Sequence, residues 1–204
     1  LRLLWLKLVG RFRPRCPPLG PVRTPFRVLP SDLDVLRHVN NGVYFSLMDL
    51  ARIDLITRSG LLPKLEARGW FPVVAAESMR FRKALTLFQR FEIETTVVGR
   101  DEKAIYVHQR VLRGDDEVAS ALIAGRFLRR GGGTVSPDEL LELMGLADAP
   151  ELPDWARAVA EAQGRELRLH ADGPVLTPRW RQPTNNSPAG ADLAEGGSAT
   201  RAPR

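Results

Sequence analysis

The sequence predicts an α+β domain in which one long helix covers a face of an antiparallel sheet. Three observations carry this. Between Val43 and Arg58 the apolar residues Tyr44, Leu47, Met48, Ala51 and Leu55 recur at helical spacing, with Leu50 and Ile56 widening the stripe. From Phe71 onward the helical period gives way to strand-like runs. Short turns rich in Gly and Asp join the later runs, which makes those neighbours antiparallel. A helix with one apolar stripe, followed by such a meander, finds its partner in the sheet face.

Residues 1–12 are short, apolar and basic, and peripheral membrane contact through them is one expectation. Pro14, Pro17, Pro18, Pro21 and Pro25 then mark a linker or an extended arm, and residues 1–25 read as a basic, Pro-rich N-terminal arm. A short strand starts at Phe26 and runs to Leu29. A polar loop from Pro30 to Asn41 leads into the long helix, with Asn40 or Asn41 as its N-cap and Gly60 at its end. Residues 61–70 form a shorter helical turn. Strands follow at Phe71–Phe81, Phe91–Val98, Ala104–Leu112 and Val118–Leu128.

Ser136-Pro137-Asp138-Glu139 is a helix start: a cap residue, Pro at the first position, then acids. Gly145 closes that helix and the domain, which spans residues 26–145. Residues 146–181 read as a helical extension. Its amphipathic helix over 154–170 has Trp155, Val159, Leu167 and Leu169 as anchors. Residues 182–204 hold almost no large apolar residue and read as a disordered tail.

Composition narrows the function. A hydrophobic fraction of 44% is enough for a real core. No apolar stretch reaches the roughly 20 residues that span a bilayer. The net charge of +6 lies mainly at the ends, and no aromatic-interleaved basic strand accompanies it, so no nucleic-acid partner is expected. The single cysteine, Cys16, has no partner for an intrachain disulfide; it reads as an incidental thiol in a reducing, cytoplasmic setting. His38, His108 and His170 show no metal-ligand spacing, so no metal is expected. P-loop, dinucleotide and nucleophile-elbow motifs are absent from the sequence.

The loop is the candidate site. Asp34 and His38 lie just ahead of the helix, close to the positive end of its dipole, where developing negative charge is stabilised. The bland alternative is equally physical, since Asp and Asn serve turns and caps.

Asp32-x-Asp34-x-x-x-His38-Val39-Asn40-Asn41-x-x-Tyr44 resembles the signature of the hotdog-fold acyl-CoA thioesterase-like family, within the 4-hydroxybenzoyl-CoA thioesterase-like superfamily. Asp49-x-Ala51-Arg52 and Arg80-Phe81-Arg82-Lys83-Ala84-Leu85 add to the likeness, which covers roughly residues 26–155. The resemblance implies a hotdog fold: a long central helix wrapped by a curved antiparallel sheet. It also implies a homodimer or dimer of dimers, with the site at the interface, and hydrolysis of an acyl-CoA thioester without a cofactor.

On that reading Asp34 acts as general base on water or as nucleophile, its basicity raised by the apolar neighbours Leu33, Val35 and Leu36. His38 donates to the carbonyl, orients Asp34, or merely ties loop to helix. The backbone N–H groups of Asn41, Gly42 and Val43 face the thioester oxygen, and Asn40 binds substrate or caps the helix. Asp32 reads as a turn former and Asp49 as a solvent-facing or salt-bridged acid. Glu77 reads as an ordinary exposed strand acid, its alternative being approach to the site from a neighbouring protomer. Arg80, Arg82 and Lys83 are candidates for the phosphates of coenzyme A.

One position departs from the wider family. Leu36 stands where plant acyl-carrier-protein thioesterases carry a catalytic asparagine, so that mechanism does not transfer whole. The competing reading is a non-catalytic module that binds acyl thioesters or lipid. A hotdog dehydratase is weaker, because no hydratase-type histidine motif is present.

Overall fold

The computed structural model describes residues 13–171, with side chains through residue 163. Strand β1 (Val22–Arg27) leads through a 3-10 turn at Pro30–Asp32 to helix α1 (Asn41–Arg58) and the shorter α2 (Leu61–Arg68). Four long strands follow: β2 (Trp70–Phe81), β3 (Arg90–Arg100), β4 (Ile105–Arg113) and β5 (Asp116–Arg129). The short β6 (Thr134–Val135), α3 (Pro137–Met144) and α4 (Asp154–Ala171) complete it. The sheet order is β1-β3-β4-β5-β2, every pairing is antiparallel, and β6 adds to β5.

This is the long helix wrapped by a curved antiparallel sheet, and its cause is visible in the core. Tyr44, Leu47, Met48, Ala51 and Leu55 are all buried on one side of α1. The first four pack with Ile93, Val111 and Ile123 from three neighbouring strands. Burying each large side chain contributes about 1.5–3 kcal/mol, far more than helix propensity supplies. Ser136 and Glu139 form the expected reciprocal cap on α3.

One expectation needs correction. The first strand starts at Val22 rather than Phe26, because Pro25 sits in an edge strand, where a missing N–H is tolerated. Of linker and extended arm, the stretch from residue 13 onward is an arm docked on the domain. Arg13 Nη1 donates to Asp54 Oδ2 at 2.7 Å, Arg58 Nε to the Pro14 carbonyl at 2.8 Å, and the Val97 amide to the Leu19 carbonyl at 2.8 Å. Burial raises the Cys16 thiol pKa, consistent with an unreactive packing residue.

Helix α4 lies on the outer sheet face. Its anchor is Ala156, fully buried against Tyr106, Leu122 and Ala124, because a small side chain allows close approach. Trp155, expected as an anchor, is 48% exposed, while Val159 does pack there. The chain before α4 crosses β3 at a bulge between Val97 and Gly99. Gly99 has φ 155°, and a Cβ there would lie 2.8 Å from the Leu152 Cα, so only glycine permits the crossing.

Among the described residues no helix is long and apolar enough to cross a membrane. Residues 1–12, the tail 182–204 and the side chains of Leu167 and Leu169 lie outside the described part.

Candidate active site

The loop before α1 is built by its own polar residues. The Asp32 carboxylate is buried and accepts from the Leu29 amide at 2.7 Å, the role of a turn former. Leu33 and Val39 form a β-bridge that pinches residues 34–38 into a tip. Within the tip, Asp34 Oδ1 accepts from the amides of Leu36 at 2.9 Å and His38 at 3.2 Å, leaving Oδ2 unengaged. Arg37 completes the reversal with φ 63°, a left-handed conformation uncommon outside glycine.

Asp34 and His38 are therefore neighbours, but no hydrogen bond joins their two side chains. The Asp34 amide donates to the His38 carbonyl at 2.8 Å, and the exposed His38 imidazole makes no hydrogen bond among the described residues. The expected apolar shield around Asp34 is absent within one chain. Val35 is 97% exposed and Leu36 70%, because the tip turns both outward.

Asn40 is the N-cap, its Oδ1 accepting from Gly42 N at 2.8 Å. The Val43 amide is bonded to the Asn40 carbonyl at 2.9 Å. Of the three amides expected to face an incoming oxygen, the cap thus engages two, and Asn41 keeps its N–H outside these bonds. Gly42 is tight here: a Cβ would come within 3.3 Å of Asn40 Oδ1.

A second cluster gathers on the inner sheet face, against the middle of α1. Arg52 Nη1 donates to Gln109 Oε1 at 2.7 Å and to Glu77 Oε1 at 3.3 Å, and Nη2 to Asp49 Oδ1. Gln109, fully buried, donates from Nε2 to the Met48 carbonyl and to Thr95 Oγ1, both at 3.0 Å. Glu77 is not the exposed strand acid expected from sequence. Strand alternation turns it inward toward Arg52, and burial raises its pKa, with Arg52 opposing that shift. Asp49 takes the salt-bridged role, and its side chain remains largely exposed.

This cluster stands at a cavity of about 570 Å³ between α1, the inner sheet face and α3. Asp49 and Arg52 are its charged lining; Ile53, Ile56, Val107 and Phe127 represent the apolar remainder. The Asp34–His38 tip does not line it within one chain. The sequence reading missed Gln109 and gave Arg52 no role; Glu77, Arg52 and Gln109 meet only through strand pairing.

The basic trio also separates. Arg82 pairs with Glu117 at 3.3 Å and Lys83 with Asp116 at 2.6 Å, while Arg80 has no ion-pair partner among the described residues. Among the described residues no cluster of His, Cys, Asp and Glu could hold a metal ion.

Residues 28–160 match the family model of the thioesterase-like superfamily. Protein THEM6 of Xenopus laevis is 38% identical over 129 residues, 62% of this chain and 61% of its own length. Protein THEM6 of Danio rerio is 32% identical over 185 residues, 84% of this chain and 86% of its own length. Among solved structures, the YbaW probable thioesterase from Escherichia coli superposes with a TM-score of 0.55 at 23% identity, covering 60% of this chain and 97% of that one. A hypothetical protein from Aquifex aeolicus gives 0.56, also at 23% identity, over 61% of this chain and 99% of its own. These likenesses in structure bear on the fold, which is the hotdog fold.

Proposed function

From the premise that this chain belongs to the thioesterase-like superfamily, we propose that it hydrolyses an acyl thioester of coenzyme A to a free acid and a thiol. The observation that carries this reading is the apolar cavity of about 570 Å³ against α1. Its size suits an acyl group, and its few polar groups are those that fix orientation in small-molecule sites.

Asp34 is the general base in this reading. Its free Oδ2 takes a proton from water as the water oxygen adds to the thioester carbonyl carbon. The carbonyl oxygen becomes an oxyanion at the amino-terminal end of α1, near the Asn41 N–H, where the helix dipole favours it. When the intermediate collapses, the C–S bond breaks and the proton passes from Asp34 to the leaving thiolate. General-base assistance of this kind contributes about 10²–10⁴ in rate. His38 donates to the substrate from the same tip, and Asn40 and Gly42 hold the helix end in shape.

The site needs a second copy of the chain. The β2 edge is unpaired, and Phe71, Val74 and Phe81 on that strand are exposed. The apolar tip residues Val35 and Leu36 are also uncovered. Edge-to-edge pairing of β2 would cover an open edge that otherwise invites aggregation. It would also give Asp34 the shielding a single chain lacks, with the tip of one protomer set against the cavity of its partner. Arg80 remains available for an anionic group.

A non-catalytic acyl-binding module is the second reading, favoured by the structural use of Asp34 Oδ1 in the tip. Filling the cavity tests the hydrolytic reading. Ile56→Phe should raise KM for long acyl-CoAs at least severalfold while short ones are still turned over. An unchanged chain-length profile would remove the cavity from the account.

A further inference from the structure

The outer face of the sheet carries a second cleft, on the opposite side from the acyl cavity. Glu77 on β2, Gln109 on β4 and Ile123 on β5 face α1. Strand alternation therefore sends Ser78, His108 and Leu122 to the other face. The register aligns them as a row, Ser78 opposite Leu122 and Leu122 opposite His108, with Arg80 opposite Ser120 one step along. Together with Trp155 of α4 these side chains line a cleft of about 550 Å³.

Two properties of the cleft point to one ligand chemistry. The first is charge. Arg80 and Arg82 line it against a single acid, Glu117. That carboxylate is already held by Arg82 at 3.3 Å and Arg110 at 2.8 Å. Arg80 has no ion-pair partner among the described residues, and Ser78 stands beside it on the same face, whereas the Ser120 hydroxyl already donates to Glu117. A free guanidinium with a neighbouring hydroxyl is a donor set for a phosphate.

The second property is aromatic. The His108 ring packs against Trp155 with centroids 4.8 Å apart, and the indole remains about half exposed. Burial pushes the His108 pKa down. A half-exposed indole at the wall of a cleft is a stacking surface for a planar heterocycle.

We propose that this cleft is a binding site for a nucleoside phosphate, with the base stacked on Trp155 and the phosphate on Arg80 and Ser78. The site does not depend on the hydrolytic reading, since it lies across the sheet from the acyl cavity. Two sources share this chemistry, a free nucleotide and the nucleotide end of coenzyme A.

Calorimetric titration of the full chain with ADP, adenosine and inorganic phosphate tests the proposal. Saturable ADP binding is expected, with adenosine and phosphate each at least about tenfold weaker, the loss of one charge-assisted hydrogen bond or one stack. Arg80→Gln, an exposed change that spares the core, should weaken ADP about tenfold or more. Trp155→Ala should do the same and Trp155→Phe should retain binding. Competition of ADP against acyl-CoA would assign the site to the coenzyme's own nucleotide, and binding without competition to a free one. Absence of saturable ADP binding, equal binding of adenosine, or an unchanged affinity in Arg80→Gln would overturn the proposal. Turnover is not needed for any of these readouts, so failure of the hydrolytic reading is seen separately.

Discussion

Replacing Asp54 by alanine should unfasten the amino-terminal arm from α1. The Asp54 carboxylate is almost fully buried, and its Oδ2 accepts from Arg13 Nη1 and Thr24 Oγ1, each at 2.7 Å, with Arg58 Nη1 at 3.4 Å. Removing it leaves the Thr24 hydroxyl, fully buried, without that acceptor, a loss of about 1–3 kcal/mol. It also leaves two guanidinium groups facing a vacated site. Breaking a buried ion pair from one side costs about 3–5 kcal/mol. Arg13 and Arg58 keep some access to water, at 20% and 11% side-chain exposure, which places the expected loss near the lower end, about 3 kcal/mol. Urea unfolding should therefore show a lower midpoint at constant slope. Because Pro18 of the same arm lines the cavity against α1, the hydrolytic reading predicts that KM for an acyl-CoA rises as well. A loss below about 0.5 kcal/mol, the scale of an ordinary surface change, would refute the clamp.

Glu77→Gln tests the inner cluster. The folded-state pKa of Glu77 is raised by burial, so the folded chain holds this proton more tightly than the unfolded chain, and Glu77 lowers stability as pH rises from its unfolded pKa through the raised folded value. The variant should lose that stretch of the stability–pH curve; superimposable curves would contradict the assignment. Gly99→Ala should cost about 1–3 kcal/mol by forcing the Leu152 segment off β3, measured by the same unfolding assay. On the edge-to-edge dimer proposed above, wild type should sediment as a dimer and Val74→Lys on the exposed β2 edge as a monomer; a dimer unchanged by the substitution would contradict that interface.

Local signals reached far into this fold and stopped at long-range pairing. The α1 stripe was legible because Tyr44, Leu47, Met48, Ala51 and Leu55 obey one period and are all buried. The Asn40 and Ser136 caps were legible because capping is decided within three residues. Pro25 disguised the start of β1, since proline reads as a breaker until its strand is known to be an edge. Glu77 and Gln109 read as ordinary strand residues until the register set both against Arg52. Trp155 read as an anchor from its place on an amphipathic helix, whereas the close approach of α4 to the sheet selects Ala156 instead. The exposure of Val35 and Leu36 depends on a bridge between Leu33 and Val39 that pattern alone does not show.

The most direct test of hydrolysis by the Asp34 loop is thiol release from a panel of short, long and aromatic acyl-CoAs, wild type beside Asp34→Asn. Asparagine keeps the Oδ1 acceptor that holds the Leu36 and His38 amides, so the tip stays folded while the base is lost. The account predicts turnover by wild type and a fall of about 10²–10⁴ in kcat for the variant, with acyl-CoA affinity retained. Full turnover by Asp34→Asn would contradict the assignment of the base. No turnover of any thioester by wild type would contradict the hydrolase itself and leave the acyl-binding module.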